Sequence, residues 1–428
     1  MPSQPSLRRA LGLAEVTFAG VGIILGAGIY ALLGDAAGLA GNAVWMAFVI
    51  SALMAAFTGF SYAELSSMFP SAGAEHEYVS HAMGRRIAFV IGWLSIISAI
   101  LAATTVSLGF AGYLSVLTGV AVTPAALGLI VLLGLLLFCG IKETSWFNIV
   151  ATFIETGGVV LLLVLGLPHL GEVDYLEAPK GLAGVFQASS LVFFAYVGFE
   201  GLVKLAEETR RPEKTIPRGL MLSLGITIVL YVLVSISAVS VVGWRELSAS
   251  QAPFADVARH ALGRDVFIVV SVIALFATTN TALMFLLAAS RIIYGMAAAG
   301  ALPAVLSGVH RWRQTPWVAI ALVTAASALF LSVGDIAFIA NATNFTVFLI
   351  FIAVNATVII LRFKDPARRR PFRIRLSVGR IPLLPIAGIL FCVFLSAQIP
   401  PGVLLLGLVL TAIGALSSLG MNVRRAGT

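Results

Sequence analysis

The chain has 428 residues, of which 60% are hydrophobic and only 11% are charged, and its mean hydropathy is +1.03. So few polar residues cannot cover a water-soluble globule, and the composition therefore indicates a protein that lies mostly in a lipid bilayer. The net charge of +8 does not indicate nucleic-acid binding, because an excess of basic residues is what cytoplasmic loops of membrane proteins carry.

Twelve stretches of the sequence are apolar enough to be membrane-spanning helices, which need roughly 20 residues each. Clusters of Arg, Lys, Asp, Pro and Gly separate them. The predicted spans are 14–33, 43–61, 87–116, 123–141, 147–167, 182–205, 219–243, 265–294, 316–333, 336–361, 382–398 and 402–420. The segment before the first span has no signal-peptide cleavage site, so we interpret 1–13 as a retained tail, with a second tail at 421–428.

The basic residues predict the orientation of these spans. Of the 27 Lys and Arg residues, 23 fall on one side of the membrane and 4 on the other. The positive-inside rule therefore predicts that both tails are cytoplasmic, in a multi-pass protein of the inner (plasma) membrane. The densest basic segment is the loop 362–380, which we interpret as an anchor for the flanking spans in preference to a regulatory or lipid-sensing site.

Two spans carry glycine clusters at matching positions. Gly20, Gly22, Gly26 and Gly28 lie in span 1, and Gly198 and Gly201 lie in span 6, five spans later. Paired broken helices are typical of secondary transporters built from inverted repeats, and they mark the binding site. The pairing predicts a first repeat of spans 1–5 at 14–167 and a second repeat of spans 6–10 at 182–361, followed by spans 11–12 at 381–420.

The alternative for any single glycine is close packing between helices. The run from Gly26 to Gly28, however, removes side-chain bulk from most of a helical turn. The N–H groups that such a break frees at a helix N-terminus suit an anion such as a substrate carboxylate.

Several polar residues lie within or beside the apolar spans. Glu155, inside span 5, is expected either to bind and release a proton near neutral pH or to hold helices together as a neutral carboxylic acid. Glu200 is expected either to hold the unwound segment, for example by bonding freed N–H groups of a neighbouring span, or to attract a substrate amine. Thr278, Thr279, Asn280 and Thr281 place four polar side chains within span 8. A hydroxyl pair such as Thr278 and Thr279 could bind sodium, or the run could form hydrogen bonds between helices. Glu64, at the end of span 2, is expected to reach the membrane interface.

The sequence has no metal-ligand spacing, nucleotide-binding loop or catalytic triad, and its five His residues do not cluster. We therefore predict that the protein is not an enzyme and binds no cofactor. Transport would be driven by an ion gradient, with H+ or Na+ as the coupling ion, or by exchange.

Four stretches in chain order resemble motifs of the amino acid–polyamine–organocation permeases: GIILGAGIY, SYAELSSMFPSAGAEHEYV, FFAYVGFEGLVKLAEETRRPEKTIPRGL and ASRIIYGMAAAGALP. The likeness extends from Leu11 to about Arg362. It implies an all-α polytopic membrane protein with twelve transmembrane helices, in which a LeuT-like five-plus-five inverted repeat is followed by two C-terminal helices. It also implies alternating access to amino acids or related amines.

The resemblance also implies roles for individual residues. Peptide groups of span 1 would bind the substrate carboxylate, carbonyl groups of span 6 would bind the amine, and an aromatic ring would cover the site. The span 1 residues are Ile24, Gly26, Ala27 and Gly28, the span 6 residues are Ala195, Val197 and Gly198, and the ring is that of Phe194.

This sequence departs from the family pattern at three positions. Ala74 stands where a second glycine is usual, and Ala299 where an Asp is usual. Glu155 lies where proton-coupled relatives have a Lys at the place of the second sodium ion, so it is a candidate proton carrier, a sodium ligand beside Thr278 and Thr279, or a residue whose coupling role is lost.

These observations predict a secondary amino acid transporter, coupled to protons as a symporter. The alternatives are an exchanger of amino acids or polyamines and a non-transporting sensor on a permease scaffold. The expected partners are a small-molecule substrate and the lipid bilayer, with no nucleic acid.

Overall fold

The computed structural model describes residues 9–70, 74–140 and 142–419, and the side chains of 142–149 are outside that description. The predicted tail at 421–428, most of the tail at 1–13 and Gly73 therefore lie outside the described residues.

The described chain is almost entirely helical. Its first half contains α1 (Leu13–Ile24), α2 (Gly28–Ala40), α3 (Val44–Met68), α4 (Ala74–Met83), α5 (Arg85–Thr118), α6 (Val122–Cys139) and α7 (Lys142–Gly166). The second half contains α8 (Gly181–Val192), α9 (Pro212–Ala249), α10 (Pro253–Leu262), α11 (Arg264–Ala298), α12 (Trp317–Phe330), α13 (Ile336–Lys364), α14 (Leu383–Ser396) and α15 (Pro401–Leu419).

Short 3-10 helices and one small hairpin complete the described structure. The 3-10 helices are Gly41–Ala43, Leu167–His169, Phe193–Tyr196, Phe199–Glu208 and Ala304–Ser307. In the loop between α13 and α14, β1 (Ser377–Val378) pairs antiparallel with β2 (Ile381–Pro382).

The helices confirm a polytopic membrane protein. Within the described ranges, nine helical segments are long and apolar enough to cross a bilayer, one of them running from Gly28 to Met68, and α1, α12 and α14 are shorter apolar helices. Each predicted span overlaps at least one helix. The number of twelve spans and the inverted repeat stay predictions.

The distribution of side chains also fits a bilayer. Large apolar residues face outward, with exposed fractions of 78% at Phe153, 61% at Leu132 and 65% at Leu405. Polar side chains such as those of Asn344 and Asn355 are fully buried. An apolar exterior around a partly polar interior is the arrangement expected of a protein solvated by lipid.

Packing places the two glycine-rich spans inside the bundle. α1 and α3 both pack against α9, α2 packs against α8 and α9, and α5 packs against α11 and α13. The residues at the ends of α1 and α8 are consequently buried.

The carboxyl group of Glu64 on α3 ties the loop after α13 to the bundle. Glu64 is 1% exposed, and its Oε2 accepts hydrogen bonds from Arg362 Nη2 at 2.7 Å and from the Ile374 backbone N–H at 2.8 Å. Glu64 is therefore buried against the protein, and whether it lies at the depth of the membrane interface stays a prediction. Its partners lie about three hundred residues along the chain, too far for the sequence pattern to reveal them.

Candidate functional site

The first interrupted helix breaks at the position that the cluster from Gly26 to Gly28 predicts. α1 ends at Ile24 and α2 begins at Gly28, and the residues between them are not helical. The backbone N–H of Ala27 donates to Thr281 Oγ1 at 3.0 Å, whereas the N–H groups of Gly26 and Gly28 meet no acceptor in the described part of the chain. Because the N-terminus of α2 carries the positive end of the helix dipole, these free N–H groups suit an anion.

The second interruption follows α8, which ends at Val192. A 3-10 turn leads to Val197, which is extended, and Gly198 has φ of +123°, a conformation that favours glycine. A 3-10 helix then runs from Phe199 to Glu208. It is longer than most 3-10 helices, which usually have about three or four residues.

Glu200 stabilises this second break. Its Oε2 accepts a hydrogen bond from the backbone N–H of Gly198 at 2.9 Å. The bond lies within the span that carries Glu200, so the expectation of a bond to a neighbouring span is wrong. Whether Glu200 also attracts a substrate amine stays a prediction.

The two breaks are in direct contact. A Cβ on Gly28 would lie 2.6 Å from the Ala195 Cα, and one on Gly198 would lie 3.1 Å from the Ile23 carbonyl oxygen. The Tyr231 hydroxyl on α9 lies 2.6 Å from the Ile24 carbonyl oxygen and 3.0 Å from that of Ala195. The start of α2 at Gly28 therefore packs against the backbone of Ala195 in the second break, and Tyr231 holds one carbonyl group from each break. An amino acid backbone needs both N–H donors and carbonyl acceptors, and both kinds of peptide group are present at this contact.

Apolar side chains surround this contact. Ile24, Ala27, Phe194 and Ala195 are buried, and Val197 is 6% exposed. Phe194 belongs to the same hydrophobic cluster as Ala27, and its ring centroid lies 6.5 Å from that of Phe285. The structure thus brings the predicted binding residues together, and their roles as substrate ligands stay predictions.

Glu155 on α7 is buried, with 1% of its surface exposed, and is only partly hydrogen-bonded. Its Oε1 accepts from Asn280 Nδ2 at 3.1 Å. Glu155 Oε2 and Asn280 Oδ1 are both buried without a hydrogen-bond partner among the described residues. Both oxygens are acceptors, so the pair lacks a donor or a positive charge between them. A proton on the carboxyl group or a bound cation would supply it.

A tyrosine connects Glu155 to the first break. Tyr30, in the first turn of α2, donates its hydroxyl to the Glu155 backbone carbonyl at 2.8 Å. The Tyr113 hydroxyl on α5 in turn donates to the Tyr30 carbonyl at 3.0 Å, and the ring of Phe254 on α10 lies 4.4 Å from that of Tyr30. A Cβ on Gly158 would lie 2.5 Å from the Tyr30 hydroxyl, so the glycine allows α7 to approach α2.

The polar run on α11 forms the predicted hydrogen bonds between helices, through two of its four residues. Thr278 donates its hydroxyl to the Ala274 carbonyl at 2.7 Å, and Thr279 is half-buried. It is the next two residues, Asn280 and Thr281, that contact Glu155 and the first break. Sodium ligation by Thr278 and Thr279 stays a prediction.

Sequence reasoning named Asn280 and Thr281 only as members of a polar run that could bond between helices, and it missed Tyr30 and Tyr231 as parts of this site. The run from Thr278 to Thr281 was the available signal for the first two, since four consecutive polar residues within an apolar span must include some that face the interior. Tyr30 and Tyr231 gave no signal of their own.

A polytopic helical protein in which two interrupted helices meet at buried, unpaired backbone groups is built as a membrane transporter. The family model described as amino acid permease matches residues 11–411. The chain therefore belongs to the amino acid permease family, whose members are transporters and not enzymes.

Curated relatives cover most of the chain. It is 32% identical to the branched-chain amino acid permease BcaP of Bacillus subtilis, over 92% of this chain and 88% of the relative. It is 28% identical to the methylthioribose transporter of the same organism, over 96% of this chain and 93% of the relative. It is 30% identical to the vacuolar cationic amino acid transporter 2 of Arabidopsis thaliana, over 84% of this chain and 61% of the relative.

Proposed function

We propose that the protein is a secondary active transporter of amino acids, working by alternating access as a proton-coupled symporter in the cell membrane. The observation that carries the proposal is the contact between the two breaks, where Gly28 packs against the backbone of Ala195 and the N–H groups of Gly26 and Gly28 have no acceptor among the described residues. A substrate carboxylate would bind these N–H groups, and its ammonium group would bind the carbonyls of Ala195, Val197 and Gly198.

The proposed architecture has twelve spans, with spans 1–5 and 6–10 as inverted repeats and both termini in the cytoplasm. The two interrupted spans support it, since each would begin one repeat. The unequal distribution of Lys and Arg supports the orientation.

The surroundings of the site favour substrates with an apolar side chain. Ile24, Ala27 and Phe194 are apolar and buried, and Phe194 would cover the bound substrate. Similarity to a relative named as a branched-chain amino acid permease supports the same substrate class.

Coupling would act through Glu155. Its unpaired Oε2 would take a proton from one side of the membrane, and the Tyr30 hydroxyl bond connects its backbone to the first turn of α2 beside the substrate. Thr278 and Thr279 would be involved only if the coupling ion were sodium.

Uptake into proteoliposomes tests the function. With an acidic exterior, we expect labelled leucine, isoleucine or valine to accumulate above equilibrium, with competition by unlabelled neutral amino acids and not by arginine or putrescine. Gly28→Ala should abolish uptake, because the new Cβ would meet the Ala195 Cα at 2.6 Å. Gly225→Ala is the matched control, since a Cβ there meets nothing within 4 Å.

Three outcomes would contradict parts of the proposal. Movement of substrate only against preloaded substrate would indicate an exchanger, and accumulation driven by a sodium gradient alone would exclude proton coupling. Binding without any counterflow would indicate a sensor.

A further inference from the structure

A cavity of about 190 Å³ lies in the loop between α13 and α14. It is lined by four arginines and a proline: Arg362, Arg370, Arg373, Arg380 and Pro366. This volume admits more than a single water molecule, which needs only about 10–15 Å³.

One of the arginines that line the cavity, Arg362, has a buried hydrogen-bond donor without an acceptor among the described residues. Arg362 is 3% exposed, and its Nε and Nη2 donate to Glu64 at 3.1 and 2.7 Å. Its Nη1 is buried and has no partner in the described part of the chain. A guanidinium group has five N–H donors in a planar fork, and an unpaired buried donor is costly. The fixed Nη1 of Arg362 is therefore ready to bind an acceptor.

Arg370 provides a second fixed guanidinium group. Its Nη1 and Nη2 donate to backbone carbonyl groups, including those of Arg368 and Leu361, and its Nε lies 3.6 Å from Glu64 Oε1 without a hydrogen bond. Burial lowers the pKa of this guanidinium, Glu64 acts in the opposite direction, and the positive charges of Arg362 and Arg373 add to the lowering. An anion in the cavity would offset that repulsion.

The charges around the cavity do not balance. Among the described residues, four arginines line the cavity and one carboxylate, that of Glu64, pairs with two of them, Arg362 and Arg370. The nearby Asp365 forms an ion pair with Arg368 at 3.9 Å. Arg373 and Arg380 are exposed, and no ion pair of either is found among the described residues. Attraction of this loop to an anionic membrane surface needs only positive charge. It does not explain why Arg362 Nη1 and Arg370 Nε are buried without an acceptor among the described residues.

We propose that this cavity binds a phosphate-type anion, either the headgroup of an anionic phospholipid or a soluble phosphate. Tetrahedral oxyanions accept several N–H bonds from arginine forks, which is why arginine is common at phosphate sites. The bound anion would pair with Arg362 Nη1 and Arg370 Nε inside the cavity, and with Arg373 and Arg380 at its mouth.

The apolar residues beside the cavity would meet the lipid surface. Phe363, Leu376 and Val378 are 52%, 56% and 67% exposed. Through Glu64, the cavity also connects to α3, so an occupied site would stabilise the ends of α3 and α13 together.

Thermal unfolding of the full-length protein tests the proposal. In one arm, detergent-purified, delipidated protein is compared in inorganic phosphate and in chloride at equal ionic strength. In the other arm, protein in phosphatidylcholine nanodiscs is compared with and without phosphatidylglycerol. The variants are Arg373→Gln and Arg380→Gln, and the matched control is Arg375→Gln, an exposed arginine of the same loop outside the cavity lining.

We expect an anion-dependent rise in Tm for the wild type and for Arg375→Gln. Arg373→Gln and Arg380→Gln should each weaken the apparent Kd roughly tenfold, the scale of one charge-assisted hydrogen bond. A rise with phosphatidylglycerol alone assigns the site to a lipid headgroup, a rise with phosphate alone assigns it to a soluble anion, and both rises support a site that takes either.

Two results would overturn the proposal. The first is an absence of any anion-dependent rise in either arm. The second is an equal loss in Arg375→Gln, which would indicate attraction by the total charge of the loop and not a built site.

Discussion

Glu155 and Asn280 form a buried pair in which two oxygens have no donor among the described residues. Leaving a buried polar atom unpaired costs about 1–3 kcal/mol, so such atoms usually mark a place where a proton, an ion or a water binds. The glutamate was recognisable from the sequence because a carboxyl group stands out within an apolar span. Its partner was not, since Asn280 lies 125 residues away and is one of four consecutive polar residues.

Glu155→Gln is expected to separate transport from the proton gradient. The Gln amide supplies a permanent N–H donor, so it imitates the protonated carboxyl group and cannot release a proton. Uptake driven by an imposed pH gradient should be lost, while exchange of labelled for unlabelled substrate continues at neutral pH. Both are measured in proteoliposomes.

The control for this variant is Glu172→Gln, which changes a carboxylate that is 57% exposed. It should retain the pH dependence of the wild type. If Glu155→Gln also retains it, Glu155 holds helices together and another group carries the proton.

At the scale of elements, α9 holds the two interrupted helices in register. Its Tyr231 hydroxyl bridges the carbonyl groups at the end of α1 and in the 3-10 turn after α8. The same ring packs on Tyr196, with 5.2 Å between centroids, and Tyr196 in turn donates to the Phe48 carbonyl on α3 at 3.1 Å. The breaks are thus supported by an intact helix and not by one another alone.

Tyr231→Phe should weaken substrate binding more than it weakens the fold. It removes one hydroxyl from two buried carbonyl groups while keeping the ring, at an expected cost of about 1–3 kcal/mol in unfolding free energy. Because the two breaks lose their common support, the KM for uptake should rise.

Tyr62→Phe is the matched control, since it removes another buried tyrosine hydroxyl, which donates to Glu75 on α4 at 3.0 Å and touches neither break. Its Tm should fall while its KM stays near that of the wild type. An equal rise of KM in both variants would attribute the effect to the loss of a buried hydroxyl in general. Both quantities are accessible by thermal unfolding and by initial rates of uptake.

At the scale of the whole molecule, the ion pair between Glu64 and Arg362 joins distant parts of the chain. It connects α3 to the end of α13, across 298 residues, and both side chains are almost fully buried. Removing one partner of such a pair leaves the other charge buried without compensation, which costs far more than the pair contributes as a whole.

Glu64→Gln is therefore expected to destabilise the protein by about 3–5 kcal/mol. Glu172→Gln, which breaks the surface pair with His169 at 3.1 Å, should change stability by no more than about 0.5 kcal/mol. Thermal unfolding in detergent compares the two. A Glu64→Gln variant that unfolds at the wild-type temperature would show that Arg362 finds another partner.

The features of this molecule that the sequence predicts are those determined by residues close together along the chain. Hydropathy locates the spans because the bilayer sets their length, and the clusters around Gly26 and Gly198 locate the breaks because they remove side-chain bulk. Bonds from Tyr231, Thr281 and Glu64 to their partners depend on helices that meet far apart along the chain. A helical pattern shows which residues share a face, but not which helix that face meets.

The contact between Gly28 and Ala195 limits how this scaffold can diversify. The Cα of Ala195 lies where any side chain at position 28 would begin, so the spacing of the two breaks is set by backbone against backbone. Changes of substrate during evolution, or by engineering, must therefore keep that spacing and alter the surrounding side chains. Ile24, Ala27 and Phe194 are the buried apolar side chains around the contact. A library restricted to those three positions would explore selectivity without disturbing the groups proposed to bind the carboxylate and the amine.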